Sequence, residues 1–182
     1  MKLHKNILFI VFLCLGINAN SQQYTEYELK SAYIFNFAKF IEFPENTFSS
    51  QRDPFIIGVI GNDALLDVLQ NIIKGKTINN RNVIAISISQ LEEANNCQII
   101  LFSKTTKNQV SLYLEYLNSK PVVTVGDNIE DFCQNGGLIN FTPQNSTKRF
   151  EINTNAAQRA KLTISSKLLA LARIVSDAEN KF

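Results

Sequence analysis

The sequence predicts an α/β domain: a mainly parallel central sheet flanked by helices in the doubly wound, flavodoxin-like manner, with a C-terminal β-hairpin strand and two closing helices. Three observations lead there. Short uninterrupted apolar runs such as Phe55–Ile60 suit strands covered on both faces. Between them lie segments whose apolar residues recur at helical spacing. The connections are short, and the right-handed crossover rule then favours a sheet with helices on both sides.

Taken in order, residues 24–43 read as a helix stopped by Pro44, which disfavours helical geometry in the residue before it. Leu29, Tyr33, Phe37, Phe40 and Ile41 share one helical stripe, and Ile34, Phe35 and Ala38 widen it beyond a single face. After the first strand, Gly61-Asn62-Asp63 turns into a helix to about Lys74. Strands follow at 83–89 and 98–102, with a helical turn near 91–94 between them. Thr105 or Thr106 then opens a helix carrying Val110, Leu114 and Leu117. Residues 121–125 form the next strand, Gly126-Asp127 leads a short helix to Cys133, and Gly136-Gly137 introduces strand 138–142. Residues 148–153 alternate polar with apolar and read as a half-exposed hairpin strand. Helices near 156–161 and 165–178 close the chain.

Ahead of this domain, Lys2, His4 and Lys5 precede the uncharged run 7–17 and the small residues Asn18-Ala19-Asn20-Ser21. That order is a secretory signal peptide, residues 1–21, leaving one exported domain at 22–182. The apolar run reaches only about half of a ~30 Å hydrocarbon core, so no membrane insertion is expected after cleavage.

Losing Lys2 and Lys5 lowers 18 basic residues to 16, equal to the 16 acidic ones, so the formal charge of +2 becomes zero. A neutral chain has no footprint for nucleic acid. The single histidine, His4, leaves with the leader. Histidine-based triads and the usual zinc ligand sets are thereby excluded, and neither a metal, a cofactor nor an enzymatic activity is expected. Two cysteines remain, Cys97 and Cys133. Each precedes a strand at the same predicted end of the sheet, so they are candidates for a disulfide in an oxidising compartment; the alternative is two separate buried thiols.

Asn62, Ser103 and Asp127 fall at the C-terminal ends of predicted strands, where α/β sheets hold ligands, and form a candidate ligand-binding set. The Gly-then-Asp turns there lack any nucleotide-binding glycine pattern, and capping by Asp competes with phosphate. Tyr33, Phe35, Phe37, Phe40 and Phe43 are either core or a partner-binding surface. Arg149 and Glu151 share one strand face, as an exposed ion pair or part of a contact patch.

Three segments carry a resemblance. They are Lys-Ser-Ala-Tyr-Ile-Phe-Asn-Phe-Ala-Lys-Phe-Ile-Glu-Phe-Pro from Lys30 to Pro44; Gly-Gly-Leu-Ile-Asn-Phe from Gly136 to Phe141; and Arg-Phe-Glu-Ile-Asn from Arg149 to Asn153, running into 156–172. In this order and spacing the chain resembles the YfiR-like family of bacterial periplasmic regulatory proteins over residues 24–176. The resemblance implies a non-catalytic α/β domain that holds down an inner-membrane diguanylate cyclase by binding its periplasmic part, lowering cyclic-di-GMP output. It also implies a capacity to form a homodimer and control by cysteine oxidation. Members of that family often carry a cysteine about where Gly58 stands, paired with the counterpart of Cys97; Gly58 removes that bridge here. The other readings are a small-ligand receptor, or an accessory to another membrane sensor such as a histidine kinase.

Overall fold

The computed structural model describes residues 18–143 and 145–178, so the expected leader lies mainly outside the described residues. Helix α1 (Asn18–Phe40) gives way to a two-residue strand, β1 (Ile41–Glu42), and a 3-10 turn at Glu45–Thr47. Then come β2 (Phe55–Ile60), α2 (Asp63–Ile73), β3 (Thr77–Ile78) and β4 (Arg81–Ser87). A 3-10 segment, Leu91–Asn96, leads to β5 (Ile99–Phe102), α3 (Lys107–Leu117) and β6 (Val123–Gly126). The chain ends through β7 (Ile139–Phe141), β8 (Phe150–Asn153), α4 (Thr154–Arg159), β9 (Thr163–Ile164), α5 (Ser166–Leu171) and β10 (Arg173–Val175).

The eight-stranded sheet runs β10-β8-β7-β6-β5-β2-β4-β3. Its five inner strands β4, β2, β5, β6 and β7 are parallel. Numbered among themselves in chain order they lie 2-1-3-4-5, the flavodoxin-like order. The hairpin expected between β7 and β8 is present, with Phe141 opposite Phe150. Apolar residues cover both faces. Helices α1, α2, α4 and α5 pack over one, where Phe37, Leu65, Leu69 and Ile152 are fully enclosed. The 3-10 segment, α3 and Phe132 cover the other. This accounts for the unbroken apolar runs of the inner strands.

Four expectations change. The first helix stops at Phe40 rather than Phe43, because Ile41 and Glu42 pair antiparallel with Ile164 and Thr163. No regular helix follows Asp127; the chain turns through 130–136 instead. Strand β8 is buried at all four residues, not half-exposed. Finally, the last helix is only Ser166–Leu171, and the chain re-enters the sheet as β10, parallel to β8. The β-branched pair Ile174-Val175 favours a strand, and Arg173 finds Glu151 directly across the ladder.

Candidate functional site

The reversal of strand order falls between β2 and β5, and in open α/β sheets this switch point is where ligands bind. Asn62 follows β2, Ser103 follows β5 and Asp127 follows β6, so the three predicted residues converge there. Asn62 caps α2, its Oδ1 accepting from the Leu65 amide at 3.3 Å. Its Nδ2 donates to Ser103 Oγ at 3.1 Å and to the Tyr27 hydroxyl at 3.3 Å. Ser103 in turn donates to Asp127 Oδ2 at 2.6 Å. The capping residue is therefore Asn62, not Asp63, and Asp127 caps no helix.

What closes the crevice comes from α1. Lys30 Nζ lies 2.6 Å from Asp127 Oδ1 and also pairs with Glu26 one turn earlier. Burial opposes the Lys30 charge, but hydrogen bonds to Asp127 and Glu26 outweigh it and hold its pKa above the ordinary lysine value. The Gly61 backbone has φ of +87°, and a Cβ there would sit 2.5 Å from the Ser103 carbonyl oxygen, so only glycine lets the two loops cross this closely. The strand ends thus hold a satisfied polar network in which Tyr27 and Lys30 fill the position a ligand takes in related architectures. A cavity of about 490 Å³, lined by Phe43, Phe48, Phe55, Ile78 and Arg81 among others, lies at the opposite end of the strands.

The aromatic row divides. Phe37 is enclosed, stacking edge-on against Phe150 at 5.0 Å, and is core rather than surface. Phe35 is buried beneath the Lys39 and Lys76 ammonium groups at 4.7 and 4.8 Å. Tyr33 and Phe43 are half-buried, against Phe150 and Phe55 respectively. Only Phe40 of the five is exposed.

Arg149 and Glu151 also part company. Arg149 is exposed, whereas Glu151 is 3% exposed and pairs with Arg173 and with Asn140 Nδ2 at 3.3 Å. A second latch lies alongside: Arg159 grips Asp177 through both carboxylate oxygens, at 2.5 and 3.0 Å. Asn153 Nδ2 joins Asp177 at 2.7 Å. Polar alternation in 148–153 concealed this, because the partners Arg173 and Asp177 arrive from the last residues of the described chain.

The two cysteines are free and buried, which corrects the expected bridge. Cys97 leads into β5, while Cys133 sits against β7 and β8, its Sγ donating to the Leu138 carbonyl at 3.7 Å. Strand β6 intervenes, and two strand spacings of ~4.8 Å exceed the Cα separation a disulfide spans. Burial, helped by the Glu93 charge, pushes the Cys97 thiol up to about 12. Burial and then Glu151 push Cys133 higher still. Both are protonated and unreactive at neutral pH. Among the described residues no cluster of three or more His, Cys, Asp or Glu is placed to hold a metal ion, and no helix is long and apolar enough to cross a membrane.

Fold and site together define a flavodoxin-like domain whose switch point is occupied by its own first helix. The chain belongs to the YfiR/HmsC-like family, whose model matches residues 27–173, a range that includes both the switch-point network and the Arg173 latch. No curated protein matches the chain. The family is a regulatory one of the periplasm.

Proposed function

We propose that this protein is an exported regulator that acts by contact, binding the periplasmic part of an inner-membrane diguanylate cyclase and holding its output down. The observation that carries this reading is the family match across 27–173. The filled switch point agrees with it, since the place where such folds hold small molecules is taken up by Tyr27, Lys30, Asn62 and Ser103. Regulation by contact needs surface rather than reactive groups. Phe40 and Leu29 on α1, with Leu171 and Ile174 near the C-terminus, supply exposed apolar side chains.

The test is deletion of the gene in its host, with cyclic-di-GMP measured alongside affinity capture from solubilised inner membranes. A rise on deletion, reversed by the exported chain, together with capture of a cyclase-bearing membrane protein, supports the proposal. Unchanged cyclic-di-GMP with a histidine kinase captured instead redirects it to a different sensor. A second reading, a small-ligand receptor, draws on the cavity of about 490 Å³ beside Phe48, over whose ring the Arg81 guanidinium lies at 3.8 Å. Native mass spectrometry of protein purified from its host tests this reading through a bound small molecule.

A further inference from the structure

The sheet ends in two edge strands, the two-residue β3 and the three-residue β10. Strand β10 is the last of the eight, bonded in parallel to β8 on one side, and among the described residues no strand pairs its outer side. A row of backbone N–H and C=O groups on such an edge is a template for another strand. Natural edges are commonly blunted by proline, by a bulge, by short length or by charged side chains. Strand β10 is short and carries Arg173, yet Leu171, just before the strand, is 60% exposed and Ile174, at its centre, is 51% exposed.

The charge around this edge is mostly positive. Residues 143–153 and 165–178 carry four cations, Lys148, Arg149, Lys167 and Arg173, against two carboxylates, Glu151 and Asp177. Both are already joined to cations, buried Glu151 to Arg173 and Asp177 to Arg159. Lys148 is fixed beside the edge by its ammonium donating to the Ala170 carbonyl at 2.9 Å. The segments flanking β10 therefore carry a surplus of exposed positive charge.

We propose that the outer edge of β10 is a docking site for an extended segment of a partner protein, one that alternates carboxylates with apolar side chains and adds to the sheet as a further strand. The period of two follows from the edge itself. Ile174 faces one side of the sheet and Arg173 the other, so a paired strand brings apolar residues to the first and acidic ones to the second. Main-chain hydrogen bonds supply the pairing, and charge complementarity sets orientation and excludes basic segments. In naming the partner's chemistry this rests on the regulatory reading above, although its test does not.

The probe is a synthetic peptide of about ten residues alternating glutamate with valine, with a lysine–valine peptide as control, each added to the mature chain. Expected are binding of the acidic peptide alone, weakening with added salt, and new hydrogen-exchange protection at the Arg173–Val175 amides. The double variant Arg149→Glu, Lys167→Glu should bind it at least about tenfold more weakly. Leu171→Glu with Ile174→Glu, at two exposed positions, should abolish the protection. Equal binding of both peptides, protection confined to other elements, or protection unchanged in the variants overturns the assignment. So does protection of β10 that rises with protein concentration alone, which would place a second copy there. Loss of the edge with cyclase control intact leaves the regulatory reading standing. An acidic strand bound at β10 without any change in cyclic-di-GMP leaves the edge standing and removes that reading.

Discussion

Lys30 is the single side chain on which the switch point most depends. It stands between two carboxylates, and Asp127 has little other access to positive charge or water. Lys30→Met should therefore destabilise by about 2–3 kcal/mol, somewhat below the cost of breaking a fully enclosed pair, read by urea unfolding; a loss under half a kcal/mol would show the pair to be incidental. Gly58 offers a second test. A Cβ built there lies 3.0 Å from Cys97 Sγ, about the separation that a ~2.05 Å S–S bond imposes between one Cβ and the far sulfur. Gly58→Cys should then close a bridge to Cys97, seen as two fewer hydrogens by mass and as loss of one free thiol. The same Cβ would meet Ile88 Cγ1 at 2.7 Å and Ile100 Cδ1 at 2.8 Å, so overpacking of about 1–3 kcal/mol offsets part of the gain. Asn62, Ser103 and Asp127 were legible in the sequence as polar residues after buried strands, a pattern fixed by chain direction in a parallel sheet. Their partners Tyr27 and Lys30 were not, since helical periodicity says which face is buried but not what it is buried against.

Elements were legible where one residue pattern decided them. The runs 55–60 and 99–102 have no polar side chain to place, and Asn62 and Thr106 cap the helices that follow β2 and β5. The C-terminal segment was misread because Leu168, Leu171, Ala172 and Val175 do recur at helical spacing; pairing with β8 overrides that periodicity after Leu171. The latch on this segment has a pH signature. The Arg159 hydrogen bond holds the Asp177 carboxyl below its ordinary value of 3.8, against a smaller opposing effect of burial. An acid with a depressed pKa contributes its full stabilisation above the unfolded value and loses it as pH falls through the folded one. Protection of the β10 amides should accordingly hold at neutral pH and fall only below about pH 3.8. Asp177→Asn should remove that acid step; an identical pH profile in the variant would show that the latch contributes nothing.

At the scale of the whole molecule, the two faces of the sheet share the same strands, so neither layer can melt alone. Cys97 and Cys133 lie in the second-face core, both protonated and shielded. Their alkylation should need global opening: both should label at a common rate whose free energy matches that from denaturant unfolding. Rapid modification of either thiol in the folded protein would show independent local opening instead. The switch-point network also orders events in time. In a chain made from its N-terminus, the Lys30 ammonium has no Asp127 to meet until about a hundred more residues have followed, and a closure that distant slows folding. During that interval Phe37 of the first helix also lacks the Phe141 and Phe150 rings it packs against. The step most exposed to periplasmic proteases and chaperones is therefore the wait before the sixth strand arrives, and a chain shortened ahead of Asp127 should be degraded rather than accumulate.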